Sequence, residues 1–371
     1  MNNYEFWNKY LKKLKEVIKN MYQEHTKLQI DLHIHSNYSA DGKQSIKEII
    51  ESTNKLGFDI ISITDHDTLD AYNEIYEYVK NGLTKPLIIP GVEFTIDNKE
   101  YGSQCHILQL FVNPFDKEIQ KNVLVNKKAM FNRSKIQFKR LEENLAIQEI
   151  CKKYNIVFSY TEYIKYLEDN KLVPEYDTLC LYLINKFKSR KITTFNILNL
   201  LEKYNIKDCY SDRKKYKEIR FKKLRDKYQN IADNNYNPRF LLSMLAVREV
   251  DDDWWDKPSS GSISVNSYGQ IKISELNKRF CSIWAHPSEA CLQVVEKYIK
   301  VNENILGIEL NIRNKYSDIN KLSNILNSNN LLLTIGSDSH DNSLKFYDNK
   351  EFYSIDSKKV LDLINYKKKV R

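Results

Sequence analysis

Six of the seven histidines in this chain stand in short motifs at the start or end of apolar runs, and only His25 does not. His33 and His35 lie in Asp31-Leu32-His33-Ile34-His35, and His66 lies in Thr64-Asp65-His66-Asp67. His106 opens CHILQLFV, His286 closes RFCSIWAH, and Asp338-Ser339-His340 follows a further apolar run. Glu93 sits within LIIPGVEFT, and Asp41 sits in an Asp-Gly turn after His35. Side chains alternate along an extended chain, so His33 and His35 project to one side, and Asp338 with His340 repeats that geometry. Imidazole nitrogen and carboxylate oxygen without cysteine are the donors that suit Zn²⁺, Mn²⁺ or Fe²⁺. The nine candidates, His33, His35, Asp41, His66, Glu93, His106, His286, Asp338 and His340, exceed what one ion needs. Two or three divalent ions are therefore expected. Clustered divalent ions bring the pKa of a bound water to about 7 and neutralise charge on phosphoryl oxygens, which is the chemistry of phosphate-ester hydrolysis.

Strand–helix alternation must bring these residues together. Gln29–Ile34 and Asp59–Thr64 read as strands, and Ser45–Leu56 between them carries Ile46, Ile49, Ile50 and Leu56 at helical spacing before a stop at Gly57. Leu69–Val79 reads as a helix, Leu87–Thr95 as a third strand with a bulge or edge at Pro90, and Cys105–Val112 as a fourth. The rhythm stops there and resumes with strands at Arg279–His286, Ile305–Asn311 and Leu331–Asp338, separated by helices at Ala290–Lys300 and around Ser317–Asn327. Seven strands alternating with helices predict an α/β fold, a closed or distorted barrel in preference to an open sheet. Ligand-type residues at the carboxyl ends of barrel strands mark the catalytic face.

The domain plan has four parts: an amphipathic helix over 1–28, a first barrel part over 29–112, a mainly helical insertion over 113–278, and a second barrel part over 279–371. The helix is expected to pack on the outside of the barrel, with a dimerising or partner-binding role as the alternative. The insertion offers a second place for a homo-oligomer or protein partner. It contains 33 Lys and Arg against 22 Asp and Glu when counted over Asn113–Arg279, whereas the whole chain has 58 against 49. The middle is thus strongly basic and the flanks slightly acidic. Arg213–Lys227 carries nine basic residues in fifteen, interleaved with Tyr216, Ile219, Phe221 and Leu224. Such a run is either a solvated helix face or a contact for a phosphate backbone. Asp251–Asp256 reads as a lid or packing corner, Ser259–Ser262 as a turn or phosphate loop, and the stretch around Tyr268-Gly269 as a hairpin. There is no long apolar run and no apolar core of a signal peptide, so a cytoplasmic protein without membrane attachment is expected. Six scattered cysteines without a CxxC pair read as reduced thiols.

Taken in order, DLHIHS, Asp41-Gly42, TDHD, GVEF, His106, AHP and GSDSH resemble the PHP (polymerase and histidinol phosphatase) superfamily. The resemblance covers roughly 29–112 and 279–345 and implies a distorted (β/α)7 TIM-like barrel around a trinuclear metal centre. It implies one ion on His33, His35, Glu93 and Asp338, a second sharing Glu93 with His106 and His286, and a third on Asp41, His66 and His340. The extra residue in Ser39-Ala40-Asp41-Gly42, where many members have Ser-Asp-Gly, is a departure that bears on Asp41. The large basic insertion between the fourth and fifth strands is similar to that of the standalone RNase AM-like branch, although larger.

These features lead to a metal-dependent phosphoesterase acting on nucleic acid or nucleotides, with the basic insertion as the guide. The alternatives are a small-metabolite phosphatase of histidinol-phosphatase type, and a nucleic-acid-binding or partner-binding component of a phage-defence assembly. Glu93 would bridge two ions, and a water on the third ion, His286 or His340 would protonate the leaving group. Arg313, with Lys315, would hold the phosphate. Asp65 and Asp67 are read as carboxylates that orient histidines. Glu309 faces either the barrel interior or the site.

Overall fold

The computed structural model describes residues 2–39, 41–96, 105–170, 172–174, 176–192, 199–200, 202–203, 222, 269–287, 292–301, 304–312, 319–341 and 350–366. The N-terminal amphipathic stretch forms α1 (Asn3–Glu24), whose first turn is capped by the Asn2 side chain accepting from the Glu5 N–H. Next come β1 (Lys27–Ile34), α2 (Ile46–Leu56), β2 (Ile60–Ile63) and α3 (Ala71–Lys80). Ser45 and Glu48 start α2 with a reciprocal capping box, and Gly57 ends it in the left-handed region at φ 83°. Trp7 of α1 is fully buried and meets Tyr72 of α3 edge to face at 5.5 Å, and Phe6 meets Tyr76 at 4.6 Å. The apolar face of α1 is therefore occupied by the core of the unit to which it belongs.

The expected third strand is two strands, β3 (Leu87–Ile88) and β4 (Gly91–Ile96). Pro90 has no N–H for a ladder, and at this residue the chain changes partners: β3 pairs with β2, whereas β4 pairs with β5 (Cys105–Leu110). Between β5 and β6 (Cys281–Trp284) the chain forms α4 (Lys117–Glu143), α5 (Leu145–Tyr154), α6 (Tyr160–Asn170) and α7 (Tyr176–Ser189). After β6 follow α8 (Leu292–Val301), β7 (Gly307–Asn311), α9 (Ile319–Ser328) and β8 (Leu332–Gly336). A short β9 (Ser354–Asp356) and α10 (Ser357–Ile364) close the described chain.

Nine strands are thus described rather than seven, in two sheets ordered β3-β2-β1-β9 and β4-β5-β6-β7-β8. The extra β9 runs antiparallel to the start of β1. The sheets meet through single parallel bridges, Ile34 with Ser339 and His66 with Glu93, so among the described residues the ladders do not close into one continuous barrel. The α/β rhythm also breaks at β5, which is antiparallel to both β4 and β6. The eight residues joining β4 to β5 are too few for a parallel crossover, which takes about a dozen or more. This reversal brings the first residues of β5 to the rim where β4, β1 and β8 carry their polar residues.

The chain divides into two compact units, Met1–Ala129 with Ser260–Arg371, and Met130–Ser259. The second has its own core, in which Phe138, Leu141, Ile150, Tyr163, Leu183 and Phe187 are buried together. The second arm of the hairpin expected around Gly269 is not a strand: Ile273–Glu275 is a 3-10 turn, and the Ile271 N–H donates to Asn126 Oδ1 at 2.8 Å. The first arm, Asp251–Asp256, Ser259–Ser262 and all of Arg213–Lys227 except Lys222 lie outside the described residues.

Candidate metal centre

Glu93 stands at the middle of the site because β4 and β1 present their polar faces to the same rim. Its Oε2 lies 3.0 Å from His33 Nε2, 3.1 Å from His35 Nε2 and 3.2 Å from His66 Nδ1. Its Oε1 lies 3.1 Å from both His106 Nδ1 and His286 Nε2. His106 reaches it because residue 106 pairs with Thr95 across β4 and β5, the diagonal neighbour of Glu93 on the same face. Asp338 Oδ1 is 3.2 Å from His35 Nε2, and Asp41 Oδ2 is 2.8 Å from His340 Nε2 and 3.4 Å from His66 Nε2. All nine side chains named from sequence spacing therefore meet at one place.

Eight of them fall into three overlapping groups with close donor atoms: His33, His35, Glu93 and Asp338; His66, Glu93 and His106; and His35, Asp41, His66 and His340. His286, implied for the second ion, joins none of these and meets the site through Glu93 Oε1. The first has the four residues implied for the first ion. His66 stands in two groups, facing Glu93 with one nitrogen and Asp41 with the other, whereas the resemblance placed it only with Asp41 and His340.

The donor atoms suit metal ions better than one another. His33 Nε2 and His35 Nε2 face each other at 3.0 Å. His66 Nδ1 and His106 Nδ1 sit at hydrogen-bond distance from Glu93 yet lack the alignment of a hydrogen bond, and both are buried. Donors held at about 2.0–2.2 Å from one ion lie about 2.8–3.5 Å apart in octahedral through tetrahedral geometry, which spans most of these separations.

The surrounding chain fixes the rim. His340 Nδ1 lies 2.7 Å from the Asp338 carbonyl oxygen, so its N–H donates there and leaves Nε2 toward Asp41. Ser39 Oγ donates to Asp41 Oδ1 and accepts from the His66 N–H, which ties the loop with the extra residue to the end of β2. Asp67, His286 and Asp338 occupy the left-handed backbone region at φ 51°, 52° and 53°. That region costs roughly 1–2 kcal/mol for most side chains, and these three of the seven such non-glycine positions among the described residues stand beside the site.

Asp65 and Asp67 do not orient histidines through hydrogen bonds, contrary to expectation. Asp65 accepts from the Ser36 N–H and hydroxyl at 2.6 and 2.7 Å, and Asp67 accepts from the Thr95 N–H and from Asn126 Nδ2 at 3.0 and 2.6 Å. Burial raises the pKa of both above the ordinary aspartate value. Asp65 instead ties the loop after β2 to the loop after β1, and Asp67 ties it to β4 and α4. Asn126, in the middle of a long helix, carries no spacing signal that could have exposed this role. Glu309, left open between two orientations, faces His33. Arg313 and Lys315 lie outside the described residues.

Burial works against a charged His33, but Glu309 and Glu93 outweigh it and raise its pKa well above that of ordinary imidazole. His66 is raised in the same way by Glu93 and Asp41. Burial would raise Glu93, yet His33, His66 and His106 around it hold it well below the usual carboxylate range. The site is a buried carboxylate ringed by imidazoles: despite burial, the neighbouring carboxylates push His33, His35, His66 and His286 up, whereas at His106 burial prevails and pushes it down.

The PHP domain family model matches residues 31–313. The fold and this ring of histidines and carboxylates fit that match, and the chain belongs to the PHP domain family. No curated protein matches the sequence. Among solved structures, an amidohydrolase from Chromobacterium violaceum, with bound sulfate and no metal, is similar at 14% identity and a TM-score of 0.50, over 89% of this chain and 98% of that one. A protein from Bifidobacterium adolescentis, provisionally named a metal-dependent phosphoesterase, aligns at 15% identity and a TM-score of 0.48, over 84% of this chain and 87% of that one. Among the described residues no helix is long and apolar enough to cross a membrane.

Proposed function

We propose that the protein is a metal-dependent hydrolase of phosphate esters whose substrates are nucleic acids or nucleotides. The observation that carries this reading is the gathering of five imidazoles on Glu93, with Asp41, Asp338 and His340 beside them. In this reading His33, His35, Glu93 and Asp338 hold one divalent ion, Glu93 with His106 and His286 a second, and Asp41, His66 and His340 a third. Bound Mn²⁺, Zn²⁺ or Fe²⁺ would supply an activated water at neutral pH and neutralise charge on the phosphoryl oxygens. Glu93, shared by two groups, sets their separation. His33, His35 and Glu93 have no exposed side-chain surface and form the floor, whereas His286 and His340 are 29% and 19% exposed. In this reading the leaving oxygen would take its proton from a water in the third group or from His286, because both nitrogens of His340 are engaged by Asp338 and Asp41. Arg313 is assigned to the phosphate on its position after β7. We read the two bridged sheets as the distorted barrel that the resemblance implies.

The choice of nucleic acid over a small metabolite rests on charge. The segment 113–279 holds 33 Lys and Arg against 22 Asp and Glu, an asymmetry that a small substrate does not require. Binding through it releases counterions, so affinity should fall with salt at a slope near −0.7 per phosphate contacted on a single strand. Replacing Lys214, Lys215, Lys222 and Lys223 together with alanine is expected to weaken binding of single-stranded RNA or DNA and flatten that slope. Hydrolysis of a chromogenic phosphodiester should persist, because none of the nine ligands is touched. Phosphate release is measured from a 5′-phosphorylated RNA, single-stranded DNA, a 3′,5′-bisphosphonucleotide and histidinol phosphate, with Mn²⁺ and with EDTA. Turnover of histidinol phosphate alone, with strand binding unchanged in the quadruple variant, would replace this reading with the small-metabolite one.

A further inference from the structure

We propose that Glu309 is a positioning residue that aims His33 at the metal centre; the inference rests on the metal-centre reading above. Glu309 is outside the nine candidate ligands. β7 presents Glu309 and Asn311 on one face, and β1 presents Asp31 and His33 toward them. Both Glu309 oxygens lie 3.0 Å from His33 Nδ1, and neither side chain has any exposed surface. Asn311 Nδ2 donates to Oε1 at 3.3 Å. Among the described residues the only ion-pair partner of Glu309 is His33. A carboxylate so deeply buried is costly to keep charged without a partner, so the pair stands or falls together.

The geometry has a direct consequence for the ligand atom. An Nδ1–H donated to Glu309 leaves Nε2 as the nitrogen with the free lone pair. It is Nε2 that faces Glu93 and His35 at 3.0 Å. A carboxylate behind the ring also makes the ligand nitrogen more basic and hence a stronger donor. The backbone makes room for this contact at Gly336. A Cβ at that position would collide with Glu309 Oε1 and with the Cβ of His33, so the close approach requires glycine there. Among the described residues His35 has no equivalent support: its Nδ1 is buried with no hydrogen-bond partner among them. Of His33 and His35, His33 is therefore the one whose direction is set from behind.

The test uses the full chain and compares wild type with Glu309→Gln, which keeps the shape and removes the charge. Mn²⁺ affinity is measured by competition with a chromogenic chelator, alongside the melting temperature of the metal-stripped proteins. The expected result is an affinity about 10–100-fold lower in Glu309→Gln, with the metal-stripped variant still folded by circular dichroism although its melting temperature falls with loss of the buried ion pair. Affinity within twofold of wild type would overturn the proposal and leave the metal centre standing, whereas a wild type that binds no Mn²⁺ would remove the centre itself. A crystal structure of Mn²⁺-loaded wild type gives a second reading that needs no variant. His33 Nε2 on the ion, with Glu309 still on Nδ1, supports the proposal. A Glu309 oxygen bonded to the ion, or Nδ1 facing it, contradicts the positioning role.

Discussion

Alanine in place of His35 or Asp338 is expected to lower phosphate-ester hydrolysis by about a thousandfold or more while the protein stays folded. Both side chains belong to the group of His33, His35, Glu93 and Asp338, and their donor atoms lie 3.2 Å apart. A bound ion is worth several kcal/mol to a phosphoryl-transfer transition state, and each ~1.4 kcal/mol is tenfold in rate. Neither side chain belongs to the buried apolar cluster that holds the first unit together, so removing it leaves that packing in place. Steady-state rates read the loss, and circular dichroism with thermal melting reads the fold. Turnover like wild type in either variant would place the active site elsewhere.

Metal binding is expected to stabilise the protein more as pH rises. In the metal-free protein burial lowers the pKa of His33 and His66, but the neighbouring carboxylates overcome it and raise both well above ordinary imidazole. A group whose folded pKa is raised contributes stability that is fully present below the unfolded value, about 6.5 for histidine. That contribution is lost as pH rises through the folded pKa. Ions compete with the same protons, so below the folded pKa apparent affinity should climb about tenfold per pH unit for each proton displaced. The stabilisation on adding metal follows this affinity and so grows with pH, on a metal-free baseline that itself falls. The increase in melting temperature on adding a fixed excess of Mn²⁺ should therefore grow between about pH 6 and pH 8. A shift that is constant, or largest at the acid end, would show that His33 and His66 do not exchange protons for metal.

The ligands were legible in the sequence because two-residue spacing at a strand end has a single geometric meaning. His33 with His35, and Asp338 with His340, needed no tertiary information to be placed on one side. The helix Ile46–Leu56 was equally plain, since Ser45, Glu48 and Gly57 mark both of its ends. Pro90 signalled a break, but not that the chain there leaves one sheet for another, because pairing partners are set by the whole set of strands. The reversed direction of β5 was hidden for the same reason, although it explains why His106 stands near the start of its strand while His33, His35, His286 and Asp338 stand near or just past the ends of theirs. Glu309 could not be assigned, since a glutamate in GIELN suits either face until its partner is known. Asn126 was invisible because a buried asparagine in a helix has no period of its own. β9 is three residues long, too short for any pattern.

Elemental analysis of protein purified without chelator tests the central claim most directly. The account predicts two or three equivalents of Mn, Fe or Zn per chain, lost on prolonged EDTA treatment and regained on adding the divalent ion, with loss in the His35→Ala protein. A wild-type protein that holds none of these metals, and whose melting temperature does not move when they are supplied, would contradict it.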